Sequence, residues 1–237
     1  MTPTFPNNTL QEFITPWWVE NTASGLRSGM LLWAFIPHVD QVPKALVPKG
    51  RTQATEHSLV DCEIVPVNSN RLFQGSRLPV AGLPIFNREI LAVYRAKRRP
   101  VLLLVPPYED NSHKLSPGKP KRLVRPTAMV APYYGVDEGT GERAGYPQKL
   151  VNRIKQCEYP RFIWDKLSLD GTDESILRLD HMIPMSTHHV AFQPTRFELS
   201  VEALAVVMEW LEWYLTGLMP EGDDAMFPMI RRMLMDA

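Results

Sequence analysis

The sequence predicts an α+β chain, a small and strongly bent antiparallel sheet or barrel with helical decoration. Three observations lead there. Of 237 residues, 22 are proline, roughly twice the usual share, which argues against a mostly helical fold and for many turns and strand ends. Short apolar runs recur along the chain, several of them closed by proline. A single long, mostly apolar stretch, residues 201–215, stands near the C-terminal end.

The elements follow in order. Residues 9–24 predict a short helix broken by Pro16, with Trp17 and Trp18 packing it onto the body. SGMLLWAFIP (28–37) is a continuous apolar run closed by Pro37, the pattern of a buried strand. Residues 38–57 read as a long loop, and LVDCEIVPV (59–67) alternates as a strand. Residues 71–84 are turn-rich. REILAVYRA (88–96) suits a strand or a short helix, and periodicity does not decide. VLLLVPP, from Val101, is a strand ended by Pro106 and Pro107. A polar, basic loop follows (108–126), then a strand containing Pro132 (128–136) and a Gly-rich connection (137–147).

Leu150, Val151 and Ile154 are spaced for a short helix over 149–157, and RFIWDKLSL (161–169) alternates as a strand before a tight turn. SILRLDHMIPM (175–185) is a further strand. In the helix at 201–215, Ser200 suits the N-cap, Glu202 lies in the positive first turn and Gly217 sits at C′. AMFPMIRRMLM (225–235) predicts a second short helix.

Net charge is zero, so there is no global pull toward nucleic acid or membrane. The charge is unevenly placed, however. Residues 95–125 hold nine Lys/Arg against Glu109 and Asp110, a net of +7, whereas from Glu198 onward eight acids face Arg231 and Arg232, a net of −6. A basic middle suggests an anionic ligand, and an acidic tail suggests intramolecular or partner contacts. Cys62 and Cys157 lie far apart with no metal-type neighbour, which suits reduced thiols in a cytoplasmic protein. No secretory signal and no membrane-spanning run are expected. His181, His188 and His189 lie near Asp180, but no second cluster or HExxH spacing supports a metal. Neither a phosphate-binding loop nor a nucleophile-elbow serine occurs. No cofactor is expected.

Gly29-Met30-Leu31-Leu32-Trp33, then Arg99-Pro100-Val101-Leu102, then Val130-Ala131-Pro132, then Ser175-Ile176-Leu177-Arg178-Leu179-Asp180, resemble in order the strand motifs of the MazF/PemK-like growth inhibitors, toxins of bacterial toxin–antitoxin modules. The resemblance covers residues 29–36 and about 96–216. It implies a single domain over 1–237 built on an SH3-like small β-barrel with an enlarged first connection and a C-terminal helix. Residues 1–28 would be an N-terminal segment, 29–36 and 96–216 the barrel core with its helix, 37–95 an insertion and 217–237 an acidic, Met-rich tail.

The resemblance further implies a metal-independent endoribonuclease that cleaves single-stranded RNA by attack of its own 2′-hydroxyl, with a cognate antitoxin as partner and a possible homodimer. Such cleavage needs an acid, a base and a cation on the phosphorane. Arg99, before Pro100, matches the family's catalytic arginine, and a guanidinium suits the role. Two readings stand: Arg99 serves the phosphate, or it is a solvated strand end or a stem packed on the core; Arg98 could take either role. Where the family carries a Thr or Ser after the Val-Pro, this chain has Tyr133 and Tyr134. Either could be the proton donor, although one strand cannot point both the same way. Tyr108 and Tyr146 are further candidates for stacking bases.

Arg98, Lys114, Lys119, Lys121, Arg122 and Arg125 could follow an RNA backbone or simply solvate a loop. Asp180 reads as the residue that ends a barrel strand and orders the following loop. Trp210 and Trp213, with Leu204, Met208, Leu211 and Leu215, exceed what one small barrel must cover. They are buried either by the N-terminal segment and the 37–96 insertion, or in part at a dimer interface. A binding module that holds nucleic acid or a protein without cutting is the second functional class.

Overall fold

Several of the described strands stop at proline or glycine, and register shifts mark irregularities in the sheet of the larger unit. The computed structural model describes residues 4–22, 24–39, 41–51, 53, 55, 59–67, 89–107, 127–136, 145–169, 174–222 and 225–236. The described strands are β1 (Trp18–Glu20), β2 (Met30–Pro37), β3 (Lys44–Gly50), β4 (Asp61–Pro66), β5 (Leu91–Val93), β6 (Ala96–Val105), β7 (Thr127–Gly135), β8 (Phe162–Lys166), β9 (Glu174–Arg178), β10 (Ile183–Ser186) and β11 (Phe192–Leu199). The described α-helices are α1 (Gln148–Lys155), α2 (Val201–Thr216) and α3 (Met226–Asp236). The class is α+β, mostly antiparallel strands in a curled half-barrel sheet.

The chain forms two units, residues 1–35 with 98–237, and residues 36–97. The smaller one is built on β4-β3-β5, antiparallel throughout. Ala45 and Val47 of β3 are buried. Lys49 and Glu63 approach to 2.6 Å on its surface, an exposed pair of small energetic weight.

In the larger unit the strand order is β1-β11-β2-β6-β7-β9-β8, with β10 also on β7. The register shifts between Pro194 and Glu198 on β11 and between Leu103 and Val105 on β6. Such bulges raise twist and bend a sheet. β9 and β10 occupy one edge of β7 in succession, through Tyr133–Gly135 and Thr127–Val130, while β6 holds the other edge.

Several elements differ from the sequence expectation, each for a tertiary reason. The N-terminal stretch keeps only a 3-10 turn at Leu10–Glu12, and Trp18–Glu20 becomes a strand because it pairs with Leu199–Phe197 of β11. β3 lies where a loop was expected, since it sits between β4 and β5. The run 88–96 resolves as strand β5 followed by the start of β6. The expected strand over 175–185 is cut by a 3-10 turn at Leu179–His181, which moves the chain along the β7 edge from β9 to β10. β11, with Pro194 inside it, was not anticipated. Residues 71–84, the basic loop 108–126 and most of the Gly-rich connection lie outside the described residues.

Helix α2 has the anticipated ends. Ser200 accepts from the Ala203 N–H, and Gly217 adopts φ +73°, the left-handed cap that side chains disfavour. Its buried residues meet α3: Trp210 stacks on Phe227 with centroids 4.5 Å apart, and Trp213 lies 5.6 Å from the same ring. The Glu209 carboxylate accepts from the Met226 and Phe227 N–H groups, capping α3 from α2.

The opposite wall of this core is pinned by one carboxylate. Asp165 on β8 is buried and accepts from Trp17 Nε1 and Trp18 Nε1 at 3.2 Å each and from the Tyr133 hydroxyl at 3.1 Å. Three donors satisfy a charge that burial alone would make costly. Gln11 adds a hydrogen bond to the Trp164 carbonyl. The tryptophan pair therefore ties the N-terminal segment to β7 and β8.

Burial pushes the Asp165 carboxyl up from an ordinary 3.8 to about 7, against the opposing pull of the indoles and Tyr133. The folded chain then holds this proton through a window where the unfolded chain has lost it, so the contribution to stability is present at low pH and disappears as pH rises through about 7. Urea midpoints measured from pH 5 to pH 8 are expected to fall, and the slope is expected to flatten in Asp165→Asn. That variant turns an amide N–H₂ toward existing donors and should itself cost about 1–3 kcal/mol.

Candidate functional site

Strand alternation separates the two tyrosines of β7. Tyr133 opposes Leu177, and Leu177 opposes Ile163, on the face that packs against α2 and the N-terminal segment. Tyr134 opposes Ile176, which opposes Trp164, on the other face, where α1 packs. Tyr133 is only 2% exposed and its hydroxyl is given to Asp165. Its phenol is raised well above 10 by burial first and by the Asp165 charge second. Of the two residues expected as proton donor, Tyr133 is thus a core residue, and Tyr134, half-buried, is the one that faces the site.

The same alternation separates the two arginines of β6. Arg98 is exposed, lies over the Trp33 ring with Cζ 4.5 Å from the centroid, and donates to Gln193 Oε1 at 2.7 Å. Arg99 is 7% exposed and lies over the Tyr134 ring, Cζ to centroid 4.0 Å. The buried arginine is therefore no solvated strand end. Its guanidinium lies face-on to the candidate donor, an arrangement favoured by the ring's quadrupole.

β9 and its following turn complete the cluster. Arg178 lies on the same face as Ile176, with Cζ 5.6 Å from the Tyr134 centroid and 4.9 Å from that of Phe162. Its Nε and Nη2 donate to the two Asp180 carboxylate oxygens at 2.7 Å each, a bidentate pair. Its Nη1 donates to the Tyr146 hydroxyl at 3.3 Å. His181 Nδ1 is 2.7 Å from the Tyr134 hydroxyl, and the rings meet edge-on at 5.3 Å. Arg178 holds the Asp180 carboxyl below its ordinary range despite partial burial.

For Tyr134, burial raises the phenol, while Arg99 and then Arg178 pull it down and Tyr146 and Asp180 push it up; the net is above 10. At neutral pH this group is a proton donor, not a base. A guanidinium such as that of Arg99 beside a protonated phenol is suited to hold an anionic oxygen while the phenol protonates a leaving group.

Arg99 and Tyr134 were legible as candidates in the sequence. Arg178 and His181 were not singled out for this role, although Arg178 alternates with the buried Ile176 and so marks a charged residue on a covered face. Asp180, expected to order the loop after a strand, lies in the 3-10 turn that follows β9 and accepts from Arg178. Lys114, Lys119, Lys121, Arg122, Arg125 and Tyr108 lie outside the described residues. Among the described residues no group of three His, Cys, Asp or Glu could hold a metal, and His188 and His189 stack on each other at 4.3 Å. Cys62 is exposed and Cys157 buried, both free thiols. No described helix is long and apolar enough to cross a membrane.

The Tyr134 phenol, read as the ultraviolet difference between wild type and Tyr134→Phe, is expected to titrate above 10. Arg99→Met should move it further up, because the cation favours phenolate; a downward move would contradict the stacked geometry. No protein-family model matches the chain, and neither a curated protein nor a solved structure does.

Proposed function

We propose that the chain is a toxin-like, metal-independent endoribonuclease of the MazF/PemK-like type that cleaves single-stranded RNA on an SH3-like barrel. The curled antiparallel sheet supports the barrel reading. The observation that carries the activity is the stack of Arg99 on Tyr134, 4.0 Å from guanidinium carbon to ring centroid, with the phenol kept protonated.

In this reading the RNA 2′-hydroxyl oxygen bonds to phosphorus and the bond from phosphorus to the 5′-oxygen breaks. Arg99 stabilises the added negative charge of the phosphorane. Tyr134 gives its proton to the departing 5′-oxygen. The proton of the 2′-hydroxyl leaves to water, from which Tyr134 is reprotonated. The products are a 2′,3′-cyclic phosphate and a 5′-hydroxyl end. Arg98 on Trp33 is suited to contact a further nucleotide. A cognate antitoxin as partner and a homodimer follow from the same resemblance.

One observation favours a second reading, a module that binds RNA without cutting. In the described cluster, Asp180 is committed to Arg178, and both His181 nitrogens face partners. Neither is placed to take the proton of a 2′-hydroxyl.

Purified protein incubated with single-stranded RNA in EDTA decides between them. Cleavage is expected to survive EDTA. Tyr134→Phe should slow it by about 10²–10⁴-fold, the usual worth of a general acid. Arg99→Ala should slow it by about 10²–10³-fold, and Arg99→Lys should not restore it, since lysine lacks the planar fork. RNA retained intact by wild type would favour the binding module.

A further inference from the structure

The groups around Tyr134 determine which way its proton points. Arg178 carries only donors, and its Nη2 lies 2.8 Å from His181 Nε2. That nitrogen must therefore be the unprotonated acceptor. An imidazolium, or the other neutral tautomer, would set N–H against N–H. The imidazole proton then resides on Nδ1, 2.7 Å from the Tyr134 oxygen, and the phenol accepts it. A phenol that accepts from one side keeps its own proton for another partner.

Arg178 is itself held in place for this task. Asp180 takes its Nε and Nη2, and Tyr146 takes its Nη1. The imidazole and Asp180 come from the 3-10 turn at Leu179–His181, and that turn is anchored between β9 and β10. Among the described residues, the charged or titratable groups that act on Tyr134 are Arg99 from β6, Arg178 from β9, Asp180 and His181 from the turn, and Tyr146 from the segment before α1.

We propose that His181 is a positioning residue for Tyr134. Locked as the Nδ1–H tautomer by the Arg178–Asp180 pair, it makes the Tyr134 hydroxyl a one-way donor toward the leaving oxygen of a bound phosphodiester. The proposal rests on the nuclease reading for its substrate, whereas the tautomer can be measured without any RNA.

Three measurements on the full chain test it. Long-range proton–nitrogen correlation on labelled wild-type protein at neutral pH is expected to show His181 protonated on Nδ1 alone, with the signals assigned by their loss in His181→Asn. An Nε2–H or imidazolium pattern overturns the proposal, and this arm needs no variant other than the one used for assignment. The second arm titrates the Tyr134 phenol by ultraviolet difference. His181→Leu removes a donor to the phenolate and should raise the titration by about one unit or more. His181→Asn places an amide N–H where Nδ1–H was and should bring it back. An unchanged titration in His181→Leu also overturns the proposal. In RNA cleavage, His181→Leu should lower kcat with KM held, and His181→Asn should recover part of the loss; equal losses in both variants count against positioning. Wild-type protein that never cuts RNA sinks the nuclease reading instead, on a different measurement from the tautomer.

Discussion

In a pleated strand adjacent side chains point to opposite faces. At Tyr133 and Tyr134 that constraint joins the core of the larger unit to its candidate site. Tyr133 turns inward to the buried Asp165 carboxylate, which also holds the indoles of Trp17 and Trp18. Tyr134 must then turn outward, onto the face shared by Arg99 and Arg178. A slip of one residue in β7 would put either Gly135 where Tyr134 stands, leaving the arginines without their ring, or Pro132 where Tyr133 stands, leaving a buried carboxylate short of a donor. The hydrogen bonds of the core thereby specify the register of the site.

The same alternation gives β6 its two-sided character. Arg99 is buried on the Tyr134 face, while Arg98 stays exposed over Trp33. A dense positive charge at the start of an aliphatic strand is tolerated because each guanidinium lies over an aromatic face. Around Tyr134, two further devices restrict motion: the bidentate Arg178–Asp180 pair and the short turn that carries His181. Polar groups in such a cluster are directional, and each fixed donor narrows the choices of the next.

How much was legible beforehand varied with the range of the forces involved. Gly217 and Ser200 announced the ends of α2, since caps are decided by residues within one turn of the helix. The strands at 30–37 and 127–135 were visible from their own apolar runs. β1, β3 and β11 were not, because their reason for being strands lies in distant partners: Trp18 opposite Leu199, Lys44 opposite Pro66, Gln193 opposite Trp33. Of the site, Arg99 before Pro100 and the adjacent tyrosines were marked by residue type alone. His181 was read only as a weak metal candidate, and nothing local distinguishes an imidazole that orients a phenol 47 positions earlier in the chain.

By itself, then, the sequence determined the α+β class, the caps of the long helix and a shortlist of one arginine pair and one tyrosine pair. Those are properties of composition, period and near neighbours. The tertiary structure decided which member of each pair faces the site, because facing depends on register between strands remote in sequence. It also assembled Arg178, Asp180 and His181 around Tyr134, where hydrogen-bond direction, set by a guanidinium that can only donate, assigns the imidazole its tautomer and the phenol its role.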